Sequence, residues 1–193
     1  MAEAILKKKL EELGLKGEIE ASSAGVYAID GKGASLEAIE IVNEHGGDLS
    51  GHISKQLNTW MVHESDYIFT MTFSQKRSVI QMCPDAYEKV FVLKEFVAPE
   101  VMEKAKGLAE LYKEAGLAYS KLYGPETGEE KPGDERDKLD EIEQKIKEKE
   151  KDFIIYDVQD PFGGSREDYE KIYREIDSAI EGILDVLKAK IKK

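Results

Sequence analysis

The sequence predicts an α/β protein built on a parallel sheet. Through the first half of the chain, amphipathic helical segments alternate with short apolar ones. Asp66–Met71 (DYIFTM) is a nearly continuous apolar run, which is how a strand buried on both faces of a parallel sheet reads. The length of 193 residues with 41% hydrophobic content suits a single domain over 1–193 and can bury a core.

The elements follow in order. MAEAILKKKLEEL places Ala4, Ile5, Leu6, Leu10 and Leu13 on one helical stripe, and Gly14 stops it. No Ser, Thr, Asp or Asn caps its start, so its first N–H groups and partial positive charge are left for something else to meet. GEIEASSAG alternates and then turns small, which predicts a strand at 18–22 running into a tight loop. Ser35 caps a helix through Glu44 with Ala38, Ile39 and Val42 inward, and Gly46-Gly47 ends it. GHISKQLNTWMVHES carries another helix, with Ile53, Leu57, Trp60 and Met61 on one face. Thr72 with Gln75 reads as a capping box for a helix over 73–82, ended by Pro84. KVFVLKEF (89–96) is the next strand.

The texture then changes. Residues 99–152 read as a helical hairpin inserted into the domain. One helix over 100–123 carries Val101, Ala105, Leu108, Tyr112 and Ala115 inward, and a Gly/Pro turn follows at 124–134. A charge-rich helix over 135–151 has only a thin stripe of Leu139, Ile142 and Ile146. Its charges read as a solvated face, or else as a lid or a partner-binding arm. A last helix, 166–190, buries Ile172, Ile176, Ala179, Ile183 and Leu187 and has Ser165 as its cap.

The formal net charge of −12 argues against general binding to nucleic acid or to an anionic membrane, while allowing one local anion site. The single cysteine, Cys83, permits no internal disulfide and fits a cytoplasmic location. No apolar run approaches the roughly 18 residues of a membrane helix. Three scattered histidines and one cysteine give no metal-ligand spacing, so no metal and no cofactor is expected.

DPFGGS (160–165) carries the clearest chemistry. Proline holds Asp160 extended, Phe162 sits beside it, and two glycines let the chain bend into a helix. A carboxylate fixed at a cleft rim beside a ring suits a general acid, and the plain alternative is an ordinary Asp-Pro turn.

MAEAIL, SSAGVYAIDGKGAS, AIEIVNEHGGDLSGHISKQL, SDYIFTMTFSQK, KVFVLKEF and DPFGGS occur in that order. Together they resemble the low-molecular-weight protein phosphatase family, above all bacterial tyrosine and arginine phosphatases, over about 1–97 and 157–190. The resemblance implies a flavodoxin-like parallel sheet flanked by helices. It also implies a Cys-x5-Arg-Ser loop that cradles phosphate at a helix start and forms a phosphocysteine. The substrate would be a phosphorylated protein or a small aryl phosphate. Asp160 matches the general acid and Phe162 the aromatic wall of the pocket. Ser23 and His52 match polar residues that support the phosphate loop, and Tyr27 falls near the pocket rim. In the family, residues like MAEAIL directly follow the loop, so the resemblance implies that the first strand and the loop are missing here. No Cys-x5-Arg occurs in the 193 residues, and the sixth residue after Cys83 is Lys89. The chain alone is therefore expected to be inactive and destabilised, its gene start lying further upstream. The alternative readings are a non-catalytic binding or regulatory module and a truncated gene product. Redox relatives that reduce arsenate are disfavoured, because they need further cysteines.

Overall fold

The computed structural model describes residues 1–123 and 133–191. Of the turn expected at 124–134, residues 124–132 lie outside the described residues and 133–134 already belong to the following helix. The chain folds as two compact units, one of residues 1–57 with 158–193 and one of residues 58–157.

The first unit is built on three helices: α1 (Ala2–Glu12), α2 (Leu36–Glu44) and α8 (Arg166–Ile191). Both α1 and α2 pack against α8. Most of the predicted stripes are buried, among them Ile5, Ala38 and Val42, with Ile172, Ile176 and Ile183 of α8, but Ile39 and Leu187 are only half-buried and Ile41, not predicted, is fully buried instead. Leu13 closes the α1 stripe only in sequence and is 45% exposed. Lys9 ties α1 to α8 through Asp177 and Glu181, both at 2.9 Å. Ser35 caps α2, its Oγ accepting the Ala38 N–H at 3.3 Å. His45, just past α2, stacks on Tyr173 at 4.1 Å between ring centroids and meets Glu170 at 3.1 Å.

Two expectations fail in this unit. No strand forms at 18–22, because the Glu18 and Ile19 N–H groups both turn back to the Leu15 carbonyl and close a turn behind α1. The helix expected in GHISKQLNTWMVHES forms only over the later part of that segment, Thr59–Glu64. The backbone of 54–57 is spent on the preceding loop: Ser54 N–H goes to Lys32 O, Gly25 N–H to Lys55 O, and Leu57 N–H to Gly25 O. Ile53 and Trp60, expected on a buried face, are 57% and 67% exposed.

The second unit holds α3 (Thr59–Glu64), β1 (Ile68–Thr70), α4 (Phe73–Met82), β2 (Val90–Val92), α5 (Leu93–Phe96), α6 (Pro99–Tyr123) and α7 (Gly133–Glu150). Asn58 starts α3 by accepting the Met61 N–H. β1 and β2 pair in parallel, Ile68 opposite Val90 and Thr70 opposite Val92. They form the sheet of the described residues, and the α/β class holds. The expected strand over 89–96 is cut short at Val92. Glu95 folds back to accept the Val92 N–H and pairs with Lys76 at 2.7 and 2.8 Å, both side chains fully buried, so residues 93–96 coil. Helix α6 packs on α4 and α7. Gly116 lets it approach closely, since a Cβ there would lie 3.0 Å from Pro84 Cγ and 3.1 Å from Gln81 Cα. The α6 stripe is buried as predicted, and of the α7 stripe Leu139 and Ile146 are. Tyr112, at the centre, donates to Glu150 at 2.9 Å. Among the described residues no helix is long and apolar enough to cross a membrane.

Candidate active site

The residues singled out in sequence fall in the first unit. Two of them converge on a third that sequence reasoning missed. Glu3, in the first turn of α1, receives hydrogen bonds from the Ser23 hydroxyl and from Lys7, and His52 Nδ1 lies 3.7 Å from its Oε2. Burial pushes the Glu3 carboxyl up, but the hydrogen bonds from Lys7 and Ser23 outweigh it and hold it below the usual range. Helix α1 starts with no side-chain cap, as predicted, and an acidic residue in its first turn suits that positive end. The one signal for Glu3 in the sequence was its i,i+4 spacing to Lys7, which reads as an ordinary surface pair.

Asp160 and Phe162 form the second cluster, a loop closed on itself. Asp160 Oδ1 accepts the Phe162 N–H at 3.0 Å, and the Gly164 N–H bonds to Pro161 O at 2.8 Å. Gly163 takes φ +77°, a conformation that favours glycine. Ser165 ends the loop as the cap of α8 in a reciprocal box: its N–H and Oγ each meet Asp168 Oδ2 at 2.8 Å, and its Oγ accepts the Asp168 N–H at 3.3 Å. The outcome is an exposed carboxylate beside a ring that is 80% exposed.

Tyr27 is 89% exposed on a loop that is itself rigidly tied. Gln56 accounts for much of this, donating from its side chain to Val26 O and from its backbone to Asp30 Oδ1, both at 2.5 Å.

Cys83 lies in the second unit and is 3% exposed. Burial, with the Asp85 carboxylate adding to it, pushes its thiol up, the reverse of what a nucleophilic cysteine requires. Lys89, at the position where a phosphate loop would carry arginine, donates to the carbonyls of His63 and Ser65 at 2.9 and 2.7 Å.

The sequence profile of the family described as low molecular weight phosphotyrosine protein phosphatase matches residues 1–121. The protein-arginine-phosphatase of Geobacillus stearothermophilus is 32% identical over 118 residues, 60% of this chain and 76% of that protein. The probable low molecular weight protein-tyrosine-phosphatase EpsP of Ralstonia solanacearum is 34% identical over 95 residues, 49% of this chain and 61% of that protein. Among solved structures, the low molecular weight protein tyrosine phosphatase of T. tengcongensis superposes with TM-score 0.62 at 28% identity, covering 95% of this chain and 87% of that one. The arginine phosphatase YwlE of G. stearothermophilus superposes equally well, with TM-score 0.62 at 24% identity over 98% and 84% of the two chains, a likeness of fold.

Proposed function

The chain belongs to the low molecular weight phosphotyrosine protein phosphatase family, and on that premise we propose that it carries the acid half of a phosphocysteine phosphatase acting on phosphotyrosine or phosphoarginine in proteins. Asp160 is the general acid. As a cysteine thiolate attacks phosphorus, the bond from phosphorus to the leaving group breaks and the Asp160 proton passes to that group. Asp160 then takes a proton from the water that hydrolyses the phosphocysteine. Phe162 walls the pocket and Tyr27 stands at its rim. Ser23 and His52, gathered by Glu3, support the phosphate loop. Residues 99–152 are an inserted hairpin in a single phosphatase-like domain.

The observation that carries the reading is the Asp160–Ser165 loop, which holds a carboxylate in the open by bonds among its own residues. The nucleophile is not Cys83. Its thiol is buried, and Lys89 is spent on two carbonyls. A Cys-x5-Arg segment has to be joined to these residues for turnover. The test is p-nitrophenyl phosphate hydrolysis. The 193-residue chain is expected to show none above background, and the same chain preceded by an apolar strand and Cys-x5-Arg-Ser-Pro is expected to turn over. Turnover by the unextended chain that survives Cys83→Ala would remove the phosphocysteine route, and turnover lost on that change would restore Cys83.

A further inference from the structure

We infer that Asp168 is a positioning residue for the acid loop, an inference that rests on the role of Asp160 proposed above. Asp168 is the third residue of α8 and closes a capping box on Ser165, the last residue of the acid loop. Its Oδ2 takes both the N–H and the hydroxyl of Ser165. The same oxygen lies where a Cβ on Gly164 would come within 2.9 Å of it, so Asp168 and Gly164 are in close register. Gly164 in turn bonds to Pro161 O at 2.8 Å, and Pro161 is the residue bonded to Asp160. The Asp160 carboxylate then holds the Phe162 N–H inside that closed ring. Every link lies in one compact unit and in nine consecutive positions, 160–168. The position of the Asp160 carboxylate is therefore set from the first turn of α8, through Ser165 and Gly164, and Asp168 itself touches no substrate. The two hydrogen bonds from Ser165 hold the Asp168 carboxyl below the usual range, so it stays an acceptor where the loop would act.

Amide exchange on the 193-residue chain tests the link without any activity. Asp168→Ala is expected to speed exchange at Phe162 and Gly164 by about fivefold, the scale of a lost helix cap. Asp168→Asn keeps one acceptor oxygen and is expected to restore most of the protection. Amides of α8 beyond Ile172 should not change. Unchanged exchange at Phe162 and Gly164 in a folded Asp168→Ala protein overturns the inference, and so does a uniform rise over the whole unit, which marks a plain loss of stability.

A second arm uses the chain fused to a Cys-x5-Arg segment. A displaced acid hurts poor leaving groups most. Asp168→Ala is therefore expected to lower turnover of phosphotyrosine several-fold more than that of p-nitrophenyl phosphate, whereas a merely structural loss lowers both equally. Asp160→Ala is the control. If it leaves turnover unchanged, the reading of Asp160 fails whatever Asp168 does. If it lowers turnover and Asp168→Ala does not, only the positioning role fails.

Discussion

Cys83-Pro84 and Asp160-Pro161 share a local grammar: a side chain able to do chemistry, then a proline, one at the end of α4 and the other in the loop before α8. Their surroundings differ in every other respect. Around Cys83 the thiol and its basic neighbour are both engaged. The thiol is buried and pushed up, Pro84 lies under Gly116 of α6, and Lys89 is pinned to two carbonyls. Around Asp160 the bonds are short-range and leave the carboxylate and the Phe162 ring open to solvent. A proline after a polar residue fixes backbone and nothing more. The proposed chemistry rests on the side chain that stays open to solvent.

The contrast can be broken in several places. The largest expected effect is on rate. In the chain fused to a Cys-x5-Arg segment, Asp160→Ala is expected to lower turnover by about 10²–10⁴-fold, whereas Cys83→Ala is expected to leave turnover per folded molecule unchanged. Steady-state kinetics on both variants decides, and a catalytic loss at Cys83 would erase the distinction. Next is packing on the cysteine side. Gly116→Leu forces a side chain against Pro84 and the α4 backbone and is expected to cost about 1–3 kcal/mol, read as a lower midpoint in urea. The counterpart on the acid side is Gly163→Ala. The site has open space but φ +77°, so the cost is backbone strain alone, about 1–2 kcal/mol.

The smallest effect concerns Asp157, three residues before Asp160 yet spent like Cys83. Its Oδ1 accepts the Phe73 N–H at 2.9 Å at the start of α4, while Lys94 donates to its carbonyl at 2.8 Å. Burial raises its carboxyl against the pull of that hydrogen bond and of Lys94. A raised folded-state value means the folded chain binds the proton more tightly than the unfolded one. The stability Asp157 contributes is thus complete below the ordinary carboxylate value and is lost as pH rises through the raised one. Asp157→Asn keeps the acceptor and removes the titration. Its Tm is expected to match the parent in acid and to exceed it near neutrality, whereas Asp157→Ala loses the cap and falls by about 0.5–2 kcal/mol at both. A parent and an Asn variant with parallel Tm profiles against pH would rule this out.

What could be read from the sequence was whatever local pattern determines. The stripes of α6 and α8, the Ser35 and Thr72 caps and the Asp160 turn all depend on near neighbours. The misses are long-range. Alternation at 18–22 describes a side-chain pattern, but a strand needs a ladder, and those amides closed a turn instead. The apolar spacing at 53–61 suited a helix until the loop at 25–32 claimed its backbone. Residues 93–96 left the strand because Glu95 found a buried partner 19 positions away in Lys76. In the candidate site, Ser23 and His52 were named in sequence, but the carboxylate they share was not, since nothing in the order of residues announces that Ser23 bonds to Glu3 and His52 lies 3.7 Å from it.

That shared acceptor has a genetic consequence. Lys7, Ser23 and His52 are scattered over 46 positions, yet each is judged by the same carboxylate. Substitutions at the three cannot be additive: once one donor is lost, Glu3 reorients toward the others, and the next loss meets an altered site. Pairwise couplings of about 0.5–3 kcal/mol are the scale for such networks. Change at this corner of the protein is therefore expected to come in groups, with Glu3 the position whose identity sets which alternatives the other three can explore.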